Sequence, residues 1–201
     1  MPKLTQVRKS AYHITEPLVP LLVRRHITPT TITWIGFAIS LGAAVLIATG
    51  HLFPAGFVVL ASGFFDMLDG ALARHSNQAT RFGAVLDSTL DRVSEAVLLL
   101  AILIFYLSSG NHPTVGILIT GLALIGSPLV SYVRARAETI GLECKIGLFT
   151  RAERVIVLAV GLLASHFSYA LVTALAIIAL FSFITAGQRL RYVLKQTRKS
   201  P

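Results

Sequence analysis

Residues 66–91 read DMLDGALARHSNQATRFGAVLDSTLD, and four aspartates stand in this stretch within a strongly apolar part of the chain. Asp66 and Asp69 are three residues apart and Asp87 and Asp91 are four apart, so each pair lies on one face of a helix. The connection between the pairs is polar and turn-rich. We therefore expect two antiparallel helices that bring the four carboxylates together at one end.

The four carboxylates need a counter-charge, because ionised carboxylates are costly at membrane depth. A hard divalent cation with oxygen ligands would keep them ionised. Neither Cys nor His stands at ligand spacing within the cluster, which favours Mg²⁺ or Mn²⁺ over zinc. The alternative is interfacial salt bridges with Arg74, Arg81 and Arg92, a costly use of buried charge for structure alone.

The composition indicates a helical membrane protein. Of 201 residues 54% are hydrophobic and 13% are charged, and the mean hydropathy is +0.73. A helix of about 20 apolar residues crosses a hydrocarbon layer of about 30 Å. Six such segments are present, at residues 31–49, 52–72, 82–107, 115–133, 150–167 and 169–187. We predict an all-α, polytopic integral membrane protein with six transmembrane helices.

The basic residues indicate the orientation in the cell membrane. The connections after the first, third and fifth segments contain no Lys or Arg, whereas the two termini and the other connections contain many. Because positive charge is retained in the cytoplasm, both termini and the acidic site should face it. Topology also accounts for the net charge of +9, and no basic, aromatic-interleaved patch suggests a nucleic-acid partner.

We predict one membrane domain over residues 1–201, with an arm (1–28), a transmembrane core (29–188) and a tail (189–201). Apolar residues alternate with Lys and Arg in the arm, as in an amphipathic helix on a membrane surface. Thr28 and Pro29 are typical of a helix start. The single cysteine, Cys144, excludes an intrachain disulfide.

Glycine and arginine accompany the carboxylates. Gly70 follows Asp69 and Gly83 lies one turn before Asp87, so a ligand can approach the backbone closely. Arg74 could neutralise phosphate with its planar guanidinium. A metal ion, a backbone that glycine leaves accessible and an arginine together are typical of a pyrophosphate-binding site.

This pattern resembles the signature of the CDP-alcohol phosphatidyltransferase family. The match comprises eight positions: Asp66, Asp69, Gly70, Ala73, Arg74, Gly83, Asp87 and Asp91. Thr30 stands where many members have Asn. The resemblance implies that a CDP-linked lipid, such as CDP-diacylglycerol, binds with its pyrophosphate on two Mg²⁺ ions. An alcohol then attacks the lipid-side phosphorus and CMP leaves.

The resemblance also implies roles for single residues. The metal ligands would be Asp66, Asp69 and Asp87, with Asp91 as the general base and a further ligand. The residues that face the cytidine nucleotide would be Gly70, Arg74 and Thr80. A homodimer among membrane lipids is the family expectation.

The connection between the fourth and fifth segments is rich in arginine, which suits an acceptor alcohol that carries its own phosphate. The alternative is that these residues only fix topology and hold anionic lipid head groups. Residues 131–154 resemble the phosphatidylinositol phosphate synthase branch of the family, whose acceptor is inositol phosphate. By that resemblance the acceptor phosphate would be held by Ser131, Arg134, Arg154 and Arg191.

Other functions stay open on the sequence alone. Glycerol 3-phosphate carries the same phosphate as inositol phosphate, and the lipid donor could be of acyl or ether type. A non-catalytic nucleotide-lipid sensor would keep the metal ligands without a base. A divalent-cation transporter would need carboxylates along its path, and the outer halves of the segments contain none.

Overall fold

A computed structural model of the chain describes residues 19–25, 27–75, 80–108, 114–144 and 146–198. All regular structure in these ranges is α-helical, which confirms that the fold is all-α. Seven helices follow one another there: α1 (Val19–Arg24), α2 (Pro29–Ala48), α3 (Leu52–His75), α4 (Arg81–Ser108), α5 (Thr114–Thr139), α6 (Arg151–Leu163) and α7 (Ala170–Thr197).

Each of the six predicted segments overlaps with one of the helices α2 to α7. Four of them, α2, α3, α5 and α7, are long and apolar enough to cross a membrane. Helix α4 carries five charged residues among its first 15. Helix α6 has 13 residues, and a helix of that size is about 20 Å long.

The two ends of the chain flank the predicted transmembrane core. Residues 1–18 lie outside the described residues, and with them most of the predicted amphipathic helix. The short helix α1 packs on α3. At the other end α7 continues to Thr197, so the first part of the predicted tail, from residue 189, is helical.

Local hydrogen bonds fix two of the helix starts. Thr28 precedes α2, and its hydroxyl oxygen accepts from the backbone N–H of Thr31 at 3.3 Å, as the sequence predicts. Thr150 precedes α6, and the Glu153 carboxylate accepts from the backbone N–H of Thr150 at 2.7 Å. This capping box sets where α6 begins.

The helices pack closely through small residues. Helix α2 packs on α3 and α4, α3 also packs on α6, and α5 packs on α7. A Cβ atom at Gly56 would lie 2.7 Å from Leu163 Cγ, and one at Gly161 would lie 2.4 Å from Ala174 Cβ. Without side chains at these two glycines the helix backbones can approach each other, as is typical of helix packing in lipid.

The first turns of α2, α4 and α6 and the last turns of α3, α5 and α7 meet at one end of the bundle. We call this the polar end. The charged side chains of α3, α4 and α6 line two cavities there. The apolar core occupies the rest of the bundle.

Candidate active site

The four aspartates lie at the polar end. Asp66 and Asp69 stand on the last turns of α3, and Asp87 and Asp91 on the first turns of α4. Each carboxylate lies within electrostatic range of the others. Asp69 is the most enclosed, with 4% of its surface exposed.

An arginine from a third helix stands between two of these carboxylates. Arg151, the first residue of α6, donates from Nη2 to Asp66 Oδ2 and from Nη1 to Asp91 Oδ1, both at 2.7 Å. Hydrogen bonds between a guanidinium and a carboxylate are among the strongest in proteins. The sequence suggested other arginines for this role, because the pairing of residues 66 and 91 with residue 151 depends on tertiary packing.

The aspartates also have the chemistry of a divalent metal site. Within the described ranges, no three acidic, His or Cys side chains are close enough to hold an ion in their present positions. The donor set nevertheless fits a hard cation, because it consists of carboxylate oxygens alone. Asp69 Oδ2 is buried and has no hydrogen-bond partner among those residues. Arg151 engages one oxygen each of Asp66 and Asp91.

A glycine on α2 makes room for one of the carboxylates. A Cβ atom at Gly36 would lie 3.2 Å from Asp66 Oδ1 and 3.2 Å from Phe65 Cβ. The hydroxyl of Ser62 also donates to the backbone carbonyl of Gly36 at 3.1 Å. Helix α2 therefore forms one wall of the acidic site.

A cavity of about 180 Å³ opens between α2, α3 and α4, and we call it the glycine cavity. Its lining includes Thr30, Asp69, Gly70, Arg74, Thr80, Gly83 and Asp87. A Cβ atom at Gly70 would lie 3.3 Å from Arg74 Nη1, so the guanidinium folds back over this glycine. Two carboxylates and an arginine therefore line the same cavity.

Thr80 and Gly83 also have a structural role. The Thr80 hydroxyl oxygen accepts from the backbone N–H of Gly83 at 2.9 Å and caps α4. A Cβ atom at Gly83 would lie 2.8 Å from that oxygen. Gly83 therefore leaves room for the cap and also lines the glycine cavity together with Asp87.

A second cavity of about 610 Å³ opens between α4, α5, α6 and α7, and we call it the arginine cavity. Its charged lining residues are Asp87, Asp91, Arg92, Glu95, Arg134, Glu138, Arg151, Arg154 and Arg189. The two cavities share Ala84 and Asp87. Of the four aspartates, only Asp87 and Asp91 line the arginine cavity.

Comparison with known proteins shows the family of the chain. The sequence profile of the CDP-alcohol phosphatidyltransferase family matches residues 26–187. The chain belongs to this family. The resemblance seen in the aspartate motif is therefore confirmed, and with it the assignment to a family of enzymes.

Curated members of the CDP-alcohol phosphatidyltransferase family resemble the chain over most of its length. It is 41% identical over 190 residues to the phosphatidylinositol phosphate synthase of Mycobacteroides abscessus. The alignment covers 92% of this chain and 86% of the relative. It is 37% identical over 188 residues to the archaetidylinositol phosphate synthase of Methanothermobacter thermautotrophicus, covering 88% and 93%.

Solved structures of a third family member have the same fold. The phosphatidylinositol phosphate synthase of Mycobacterium tuberculosis with CDP-DAG bound is 36% identical, with a TM-score of 0.81 over 90% of this chain and 94% of that one. Its complex with manganese and citrate is 35% identical, with a TM-score of 0.82 over 90% and 88%.

The residues expected at the acceptor phosphate of this family divide into two groups. Ser131, Arg134 and Arg154 line the arginine cavity. Arg191 is exposed and does not line it. Residues two apart on an α-helix are rotated by about 200° around its axis. Arg191 therefore points away from the side of α7 that carries Arg189 and faces the cavity.

Arg189 lines the cavity instead, with 5% of its surface exposed. Its Nε donates to the backbone carbonyl of Ile146 at 2.8 Å, and its Nη1 donates to that of Val130. A sequence signal existed, because Arg189 continues the buried small and polar face of α7 formed by Ser182, Thr185 and Ala186.

Glu95 was also missed by the sequence analysis. Its carboxylate accepts two hydrogen bonds from Arg154, from Nε to Oε1 and from Nη2 to Oε2, the latter at 2.8 Å. Asp87, Asp91 and Glu95 recur every four residues on α4. That spacing continues the acidic face by one turn and was the available signal.

Proposed function

We propose that the chain is a membrane enzyme that transfers the phosphatidyl group of CDP-diacylglycerol to inositol phosphate, with release of CMP. The observation that carries this proposal is the meeting of two cavities at Asp87, one with Gly70 and Arg74 and one rich in arginine. A donor and an acceptor that both carry phosphate could occupy the two cavities and meet at the carboxylates.

The glycine cavity suits the nucleotide end of the donor. Arg74 can donate to phosphate oxygens from its position over Gly70, where the backbone leaves space. Thr30 and Thr80 add hydroxyl groups to the lining. The diacyl tails would stay in lipid, since only the head group has to reach the polar end.

The arginine cavity suits an acceptor with a phosphate group. Arg134, Arg154 and Arg189 line it together with Ser131, and so does Arg151, which bonds to Asp91 in the same lining. An anion with several acceptor oxygens can bind such a set, whereas serine or free inositol has no phosphate to bind. The names of the relatives favour inositol phosphate over glycerol 3-phosphate.

In the proposed reaction Asp91 takes the proton from the attacking hydroxyl, because it lines the acceptor side of the site. The alcohol oxygen forms a bond to the lipid-side phosphorus, and the bond from that phosphorus to the CMP oxygen breaks. Asp66, Asp69, Asp87 and Asp91 would hold Mg²⁺ or Mn²⁺, two ions per site. A bound cation neutralises charge on the transferring phosphate and on the leaving oxygen.

We further propose six membrane spans formed by α2 to α7, with both termini and the polar end in the cytoplasm. The charges of α4 and the short α6 are compatible with this arrangement, because their polar parts lie at one end of the bundle. The N-terminal arm would lie on the membrane surface and two chains would form a homodimer.

A panel of acceptors tests the proposed function. Purified protein in lipid receives CDP-diacylglycerol, Mg²⁺ and one of inositol phosphate, free inositol, glycerol 3-phosphate or serine, and mass spectrometry measures the lipid product and CMP. We expect efficient turnover with inositol phosphate and equal amounts of both products. Efficient product from serine or free inositol would overturn the assignment, and preference for glycerol 3-phosphate would support the alternative acceptor.

Asp91→Asn separates an enzyme from a sensor. We expect turnover to fall by about 10²- to 10⁴-fold, the usual contribution of a positioned general base, while CDP-diacylglycerol still binds. Turnover of the variant near that of the unmodified protein would remove Asp91 from the proposed reaction. A complete lack of turnover in the unmodified protein, with binding intact, would support a sensor.

A further inference from the structure

Glu95 has no part in the reaction proposed above, yet it lies one helical turn beyond Asp91 and pairs with Arg154. The side chain of Arg154 is 2% exposed and that of Glu95 is 12% exposed. Both line the arginine cavity. The pair therefore forms part of the enclosed wall of this cavity.

The pairing fixes the plane of the guanidinium. Nε and Nη2 of Arg154 each donate to a different oxygen of Glu95, which is the two-pronged geometry of a strong arginine–carboxylate pair. The remaining nitrogen, Nη1, is buried and has no hydrogen-bond partner among the described residues. An anionic oxygen in the arginine cavity could provide that partner.

Stability alone is a poor reason for this arrangement. A buried ion pair loses much of its attraction to desolvation, and apolar residues of similar volume often stabilise a protein as well or better. A buried nitrogen without a partner adds a further cost. An arginine whose Nε and Nη2 are held by a carboxylate and whose Nη1 has no partner among the described residues is better suited to binding a ligand.

We propose that Glu95 is a positioning residue that acts through Arg154 and holds its guanidinium ready for the phosphate of the acceptor. This inference rests on the proposed function of the arginine cavity. It assigns Glu95 no contact with the acceptor and no proton transfer.

Two effects of the Glu95 carboxylate oppose each other. Its negative charge weakens the attraction of the cavity for an anion, so its loss alone would tighten acceptor binding. Its hydrogen bonds keep a long and flexible side chain in one orientation, so their loss would weaken acceptor binding. We expect orientation to outweigh charge, because Arg189, which bonds only to neutral backbone carbonyls, still supplies positive charge to the cavity.

Glu95→Gln tests which effect is larger, with KM for inositol phosphate and for CDP-diacylglycerol measured separately. We expect KM for inositol phosphate to rise about tenfold while KM for the lipid stays constant and kcat changes less than about threefold, the pattern of lost ground-state binding. The matched control is Glu143→Gln, because Glu143 is an exposed acid that lines neither cavity.

Glu95→Asp separates position from charge. Aspartate keeps the charge but is one methylene shorter, so Arg154 would move or lose one of its two bonds. We expect a rise in KM for inositol phosphate in this variant too. A purely electrostatic role predicts unmodified behaviour for Glu95→Asp and a lower KM for Glu95→Gln, and either result would overturn the proposal.

A double-mutant cycle shows whether Glu95 acts through Arg154. In an Arg154→Gln background, Glu95→Gln should cause no further rise in KM for inositol phosphate. A lower kcat, similar rises in both KM values and a lower thermal unfolding midpoint would together indicate a structural role. This result would contradict the inference.

Binding of inorganic phosphate, measured by calorimetry, keeps this test independent of turnover. We expect Glu95→Gln to weaken phosphate binding about tenfold, in line with a lost charge-assisted contact. Failure of the unmodified protein to use any phosphate-bearing acceptor would refute the proposed function. Unchanged phosphate binding by the variant would refute the role of Glu95 by itself.

Discussion

Arg189 and Arg191 lie two residues apart on α7, and their surroundings differ. Arg189 is buried at the arginine cavity and bonds to two backbone carbonyls, whereas Arg191 is exposed. We expect Arg189→Gln to raise KM for the acceptor about tenfold, because a charge-assisted contact to phosphate contributes roughly 1.5–3 kcal/mol. Steady-state kinetics with inositol phosphate measures this.

Arg191→Gln is the matched control for this prediction. It removes the same charge from the same helix, so its kinetics should stay within about twofold, as for most exposed substitutions. If Arg191→Gln raised KM more than Arg189→Gln, the sequence-based assignment would be right and the position of α7 in this account would be wrong.

Single residues show what a sequence can and cannot predict. The aspartates were found because their spacing places them on helix faces and because charge is costly in an apolar stretch. The bonds of Arg151 to Asp66 and Asp91 could not be found, since they join residues that only tertiary packing brings together. Arg189 and Arg191 belong to the same basic stretch of sequence, and helix phase alone distinguishes the buried residue from the exposed one.

At the scale of the helices, Gly36 controls how closely α2 approaches the acidic site. A Cβ atom there would lie within 3.2 Å of both Asp66 Oδ1 and Phe65 Cβ. We expect Gly36→Ala to lower the thermal unfolding midpoint and to reduce kcat, because overpacking typically costs about 1–3 kcal/mol. Unfolding in detergent and turnover of the same preparation measure both effects.

Gly42 on the same helix provides the comparison. A Cβ atom at this position would meet nothing within 4 Å. Gly42→Ala should therefore be neutral or stabilise α2 by up to about 1 kcal/mol through helix propensity. Similar losses in both variants would show that the contact with Asp66 is not the cause.

The positions of the helices were largely predictable because apolar runs and capping residues determine them locally. Thr28 and Pro29 mark the start of α2 in sequence and structure alike. Helix α7 continues beyond the predicted membrane span, which ends at Gly187, through basic residues to Thr197. Helix α6 ends at Leu163, before the end of the predicted segment 150–167. The sequence does not distinguish the turn that follows from a continued helix.

At the scale of the whole molecule, orientation in the membrane can be tested with single cysteines. Cys144 is fully buried, so it gives little background labelling. His51 and Arg198 are exposed at opposite ends of the proposed bundle. An impermeant maleimide should label His51→Cys in intact cells, and it should label Arg198→Cys only after the cells are opened.

The positive-inside distribution is the reason for this expectation. Labelling of Arg198→Cys in intact cells would place the polar end outside the cytoplasm and contradict the proposed topology. Labelling of both cysteines from the same side would contradict the number of spans.

The central claim is that the aspartates of α3 and α4 hold the divalent cations on which phosphatidyl transfer depends. Anomalous diffraction from crystals grown with Mn²⁺ tests it most directly. We predict anomalous density about 2.1–2.2 Å from oxygens of Asp66, Asp69 and Asp87, within the usual range for small divalent cations, with Arg151 released from at least one carboxylate. Absence of such density at saturating Mn²⁺, with Arg151 still joining Asp66 and Asp91, would contradict the account.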